Sequence, residues 1–167
     1  MRSLTTGLIL VSLLLLAAIF GFFYAWVCST MWGLDEADPR VAIAAMQAMN
    51  ASVRNAFFAP AFFATPVVVA VTALMLFWQG ERRSALAFWA SALVYLFFGL
   101  LLTTLVNVPM NEALALVVIP EDLLAARAVW LDYSRDWQVW NQTRTIASGA
   151  AFLLALWGVL LLRRGRA

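Results

Sequence analysis

The sequence predicts an all-α integral membrane protein, a four-helix bundle with two partly helical outer caps, and three observations carry that prediction. Of 167 residues, 65% are hydrophobic and 12% charged, with a mean hydropathy of +0.89. A soluble domain of this size needs a polar surface that such a composition cannot supply, so the apolar excess faces lipid. Four uncharged stretches are long enough to cross a bilayer, and the charges between them are sorted by sign. The length suits a single membrane domain over residues 1–167.

A hydrocarbon core of about 30 Å needs roughly 20 helical residues. Ser3 to Leu34 contains 32 uncharged residues, Asn55 to Gly80 contains 26, Ser84 to Asn111 contains 28 and Thr145 to Leu162 contains 18. The expected spans are 8–27, 57–79, 85–106 and 145–162. The first apolar run is longer than a signal-peptide core, and no small-x-small cleavage site follows it, so it is expected to be retained.

The N-terminus, the turn Gly80-Glu81-Arg82-Arg83 and the tail Arg163-Arg164-Gly165-Arg166 share one side, with six arginines and one acid. The opposite side, residues 35–54 and 112–144, has five arginines and eight acids. Retention of basic residues in short cytoplasmic segments predicts that both ends are cytoplasmic, in a bacterial inner membrane.

Outer caps are expected at 35–56 and 112–144. Asp38-Pro39 is a helix start, a carboxylate N-cap before a proline, and nothing breaks a helix before Phe58. Pro60 and Pro66 then kink the entry to the second span. Ile43, Met46, Asn50, Val53 and Phe57 recur at helical spacing and are predicted to share a face. Pro120-Glu121-Asp122 starts a second helix with acids at its positive end. Unbroken to Leu162 it would be about 63 Å long, which predicts a bend near Asp132-Tyr133-Ser134.

Composition excludes some chemistry. There is no histidine and one cysteine, Cys28, so histidine-held haem and a Cys-x-x-Cys redox pair are excluded, and no metal or other cofactor is expected. Cys28 is read as a small packing residue. No basic stripe marks a nucleic-acid surface.

The outer end gathers polar residues at helical spacing. Asn107 and Asn111 flank Val108-Pro109-Met110, Asn50 and Arg54 precede the second span, and Trp137, Trp140, Asn141 and Arg144 form one stripe into the fourth, extended upstream by Trp130 and Tyr133. One reading is structural: amides that cap a helix broken by Pro109, and indoles of an interfacial belt. The other is an amphipathic pocket, because lipid anchoring does not require amides and arginines on the same stripe as indoles. Glu112 points about 100° from Asn111 on a helix. It is read as a solvated carboxylate or a general base, while Asp132 and Asp136 are expected to be solvated.

Met46-Gln47 with Asn50, then Asn107-Val108-Pro109-Met110-Asn111-Glu112, then Trp137-x-x-Trp140-Asn141-x-x-Arg144-Thr145, in this order among four spans, resemble the anthrone oxygenase family over nearly the whole chain. The resemblance implies oxidation of a planar phenolic or anthrone-like substrate. An anthrone carbanion is electron-rich enough to meet O₂ without a metal, given an apolar slot, a base and donors for the oxyanion. In that scheme Trp137 and Trp140 stack on the substrate, Asn50, Arg54, Asn107, Asn111 and Asn141 bind it, and Arg144 and Glu112 act on it. Two other readings stand beside it: a non-enzymatic membrane protein that binds a lipid or quinone-like molecule or serves as a complex subunit, and a small transporter, which would require a homo-oligomer. The expected partners are the bilayer and an aromatic or lipid-like small molecule.

Overall fold

A computed structural model describes the backbone of residues 2–164 and the side chains of 3–162. Five helices carry the chain, with no strand among the described residues: α1 (Ser3–Asp35), α2 (Pro39–Ser52), α3 (Phe58–Trp78), α4 (Arg82–Ala115) and α5 (Leu123–Arg164). All but α2 are long and apolar enough to cross a membrane, which makes this an integral membrane protein.

The spanning helices form a ring in which α1 packs on α3 and α5, and α4 packs on the other sides of α3 and α5. Lipid is as apolar as leucine, so fit and polar links, rather than burial alone, hold such helices together. On α5 the small residues Ala147, Ala151 and Ala155 are buried while Ile146, Leu153 and Leu160 face outward. A Cβ on Gly158 would stand 2.8 Å from the Phe88 ring, so that glycine lets α5 close on α4. Ser12 and Thr72 hydroxyls share a hydrogen bond at 2.8 Å, joining α1 to α3, and Ser91 donates to the Ala151 carbonyl at 2.7 Å, joining α4 to α5. The α3–α4 turn closes through Gly80 at φ 83°, a conformation that costs glycine no Cβ clash.

The caps start as the sequence predicts and end differently. Asp38 accepts from the Arg40 amide at 2.9 Å and starts α2, and Asp122 accepts from the Ala125 amide at 2.8 Å and starts α5. However, α2 stops at Ser52, short of Phe58. There Asn55 donates to the Ser52 carbonyl and accepts from the amides of Phe57 and Phe58. That side chain ends one helix and caps the next. The shared face therefore stops early: Ile43, Met46 and Asn50 are buried, but Phe57 is 93% exposed.

Three further expectations meet the structure here. α5 runs as one helix through Asp132–Ser134, its outer half supported on one side by α2 and the end of α1. Pro109 does not break α4 either. It enters the first turn of an α-helical stretch that follows a π-helical one, Thr103–Asn107, where the widened turn relieves the missing amide. Cys28 is exposed rather than packed in the interior.

The caps share a core of their own, with Met31, Ile43, Met46, Leu114, Trp130 and Trp137 among its members. Asp35, at the end of α1, pins this layer to α5 by accepting from Trp130 Nε1 at 2.9 Å, Ser134 Oγ at 2.7 Å and Gln138 Nε2 at 2.8 Å. Gln47 of α2 donates to the carbonyls of Leu114 and Val117. The caps are thus a packed lid on one end of the ring.

Candidate functional site

Between the lid and the ring lies a cavity of about 570 Å³, within the roughly 300–1,000 Å³ usual for small-molecule sites. Seven aromatic residues line it. Phe22 and Phe58 approach at 4.8 Å between ring centroids, Phe58 stacks on Phe62 at 5.3 Å, and Trp26 meets Trp137 at 5.1 Å. Tyr95 steadies this wall from behind by donating to the Phe62 carbonyl at 2.9 Å. Exposed residues of the α2–α3 turn, Arg54, Asn55 and Ala56, with Phe63 beside them, form the mouth.

Three π-helical stretches surround the site: Trp26–Thr30 on α1, and Tyr95–Leu101 and Thr103–Asn107 on α4. Each rotates the residues that follow it relative to a regular helix. Trp26, Thr103 and Thr104 reach the cavity from two of them.

Arg144 is the floor. It is 5% exposed, and its guanidinium lies 4.4 Å from the Phe23 ring centroid and 4.9 Å from that of Trp137. Its Nε donates to Asn141 Oδ1 at 2.9 Å, and its Nη1 donates to Thr103 Oγ1 at 3.4 Å. No carboxylate pairs with it among the described residues. Ring faces and neutral oxygens only partly offset the desolvation of such a cation. The site therefore holds a net positive charge with room in front of it.

Asn111 is the second polar element of the wall. Its Oδ1 accepts from Tyr133 Oη at 2.8 Å and from Trp137 Nε1 at 2.9 Å. Asn50 Nδ2 donates to the Tyr133 hydroxyl at 3.3 Å.

The structure brings together Asn50, Arg54, Asn111, Trp137 and Arg144 on the cavity lining. Asn141 stands behind Arg144, its Nδ2 donating to the Phe23 carbonyl at 3.3 Å. Asn107 is fully buried off the lining, and neither its Nδ2 nor its Oδ1 has a hydrogen-bond partner. Trp140 is 39% exposed and off the lining, so it does not share the inward face of Trp137 and Asn141. Glu112 is also off the lining. Its carboxylate pairs with Arg54 at 3.2 Å, with both side chains 59% exposed, across the rim of the mouth.

Sequence reasoning missed Phe22, Phe23 and Trp26, because inside a uniformly apolar span an aromatic facing a cavity looks like one facing lipid. It also missed Thr103 and Thr104, whose π-helical register no spacing rule announces. Asp35 was only one of eight outer acids, and no local signal marks its three partners on α5.

Among known proteins, the family model described as anthrone oxygenase matches residues 52–154. The match covers Asn107, Asn111, Trp137, Asn141 and Arg144, and leaves Phe23, Trp26 and Asn50 outside it. No curated protein and no solved structure matches the chain.

Proposed function

Because the chain belongs to the anthrone oxygenase family, whose model spans more than half of it, we propose that the aromatic cavity binds a planar phenolic or anthrone-like substrate and oxidises it with O₂. The observation that carries this reading is the buried, carboxylate-free Arg144 at the floor of an aromatic slot.

An anthrone becomes nucleophilic toward O₂ as its enolate, formed by loss of one methylene proton. A cation held by neutral groups stabilises that anion and lowers the cost of forming it. Arg144 takes the enolate oxygen, the Phe22–Phe58–Phe62 wall and Trp137 hold the ring plane, and Asn111 supplies a second donor. Among the described residues no carboxylate or histidine lines the cavity, so the methylene proton leaves to water at the mouth. The ring carbon then takes up O₂ to give a hydroperoxide after reprotonation. Loss of the remaining hydrogen at that carbon, with O–O cleavage, leaves a ketone and releases one water. In sum, one CH₂ and one O₂ become one C=O and one H₂O, with the substrate as the only reductant. This proposal needs no cofactor.

The charge asymmetry of the chain supports a periplasmic lid and cytoplasmic ends, which reporter fusions at Glu81 and at the C-terminal tail test. For the activity, purified protein in nanodiscs is assayed for O₂ uptake with emodin anthrone. Arg144→Ala and Asn111→Ala are each expected to lower turnover by about 10²–10³-fold at unchanged folded yield. Full turnover in both variants removes the reading. Binding without O₂ uptake by the native chain converts it to a carrier of the same ligand class.

A further inference from the structure

We infer that Tyr133, which lies off the cavity lining, is a positioning residue that acts with Trp137 to fix the polarity of Asn111, so that this amide presents a hydrogen-bond donor beside Arg144 and selects an aromatic ligand in its anionic form. This rests on the enolate reading above and adds to it a device that the reading does not require.

The inference follows from which atoms can donate. An indole N–H has no acceptor capacity, and Trp137 Nε1 lies 2.9 Å from Asn111 Oδ1. The atom facing it is therefore oxygen. The same oxygen receives the Tyr133 hydroxyl at 2.8 Å. That hydroxyl could turn its proton elsewhere, but Asn50 Nδ2, a group that only donates, lies 3.3 Å from the phenol oxygen. The lone pair is occupied, and the proton is left for Asn111. Flipping the Asn111 amide would set its NH₂ against an indole N–H and a phenol already taking a donor.

Asn111 Oδ1 is thus held on the protein side, and no described residue accepts from its Nδ2. Asn111 lines the cavity, so the NH₂ is its free face. Arg144 can only donate as well. These two groups of the lining then favour an oxyanion and oppose a ligand whose oxygen is blocked. Tyr133 is 7% exposed and one helical turn from Trp137 on α5, so it reaches the ligand only through Asn111.

The alternative is that Asn111 merely cross-links α4 to α5 through its oxygen. Asn111→Asp separates the two. A carboxylate still accepts from Tyr133 and Trp137, so a cross-link survives, but the group facing the cavity becomes a charged acceptor. Two probes are titrated anaerobically into native and variant protein: anthrone, whose enolate is read by visible absorbance, and 9-methoxyanthracene, its neutral ether counterpart. The readout is the ratio of enolate to ether affinity. The native chain is expected to favour the enolate. Tyr133→Phe is expected to lower that ratio about 5–10-fold, the effect of one hydrogen bond, with ether affinity unchanged. Asn111→Asp lowers it at least about 100-fold. A native ratio in Asn111→Asp, or in folded Tyr133→Phe, overturns the positioning role and leaves the function reading standing. No enolate preference in the native chain overturns both.

Discussion

Asn141 Oδ1 accepts the Nε of Arg144 at 2.9 Å, one turn earlier on the same helix, while its Nδ2 donates to the Phe23 carbonyl of α1 at 3.3 Å. One amide therefore orients the only cation of the cavity floor and ties it to the neighbouring helix. Asn141→Leu keeps the branched outline and the charge but removes both links. We expect it to destabilise the protein by about 1–3 kcal/mol, the cost of leaving a buried charged donor unmet, and to weaken ligand binding about tenfold. Thermal unfolding in micelles and ligand titration read the two effects separately, and an unchanged midpoint would show that the guanidinium finds another acceptor.

Glu112 offers a contrast. Its pairing with Arg54 is exposed on both sides, and exposed pairs contribute about 0–1 kcal/mol. Glu112→Gln is expected to shift stability by less than about 1 kcal/mol in chemical denaturation. A general base at this position would instead cost turnover about 10²-fold or more. A loss of that size would bring the carboxylate back into the chemistry.

Packing of α4 on α5 makes a third prediction. A Cβ at Gly158 would lie 2.8 Å from Phe88 Cδ2 and 3.2 Å from Ala87 Cβ. Gly158→Val adds a branched side chain there and is expected to cost about 1–3 kcal/mol by overpacking. Ligand affinity of the folded fraction should not change, since this contact is outside the cavity lining.

The start of α2 should respond to acid. Arg40 hydrogen-bonds the Asp38 carboxylate through its side chain and its amide and holds it down to about 2, against an ordinary 3.8. A depressed folded value means that the stabilising contribution is complete above the ordinary value. It is lost as pH falls through the folded one. Hydrogen exchange of the Val41 and Ala42 amides should therefore stay protected to about pH 4 and lose protection toward pH 2. In Asp38→Asn this pH dependence should vanish, and its persistence would place the titrating group elsewhere.

The amino-acid sequence by itself determined the four crossings, the two helix starts at Asp38 and Asp122, and the gathering of Asn50, Asn111, Trp137 and Arg144 at one end. These depend on transfer free energy and on hydrogen bonds within four residues, both of which are local. Tertiary structure alone decided which side of each helix turned inward. On α5, Trp140 and Asn141 are adjacent and both plausible at a pocket, yet only Asn141 points in, because Phe23 and Arg144 engage it there. When every face of a helix is apolar, its rotation is set by partners distant in sequence. The π-helical stretches and the three bonds to Asp35 depend on the same long-range fit. That is why the existence of four membrane helices was legible in the sequence, and the orientation of the cavity walls was not.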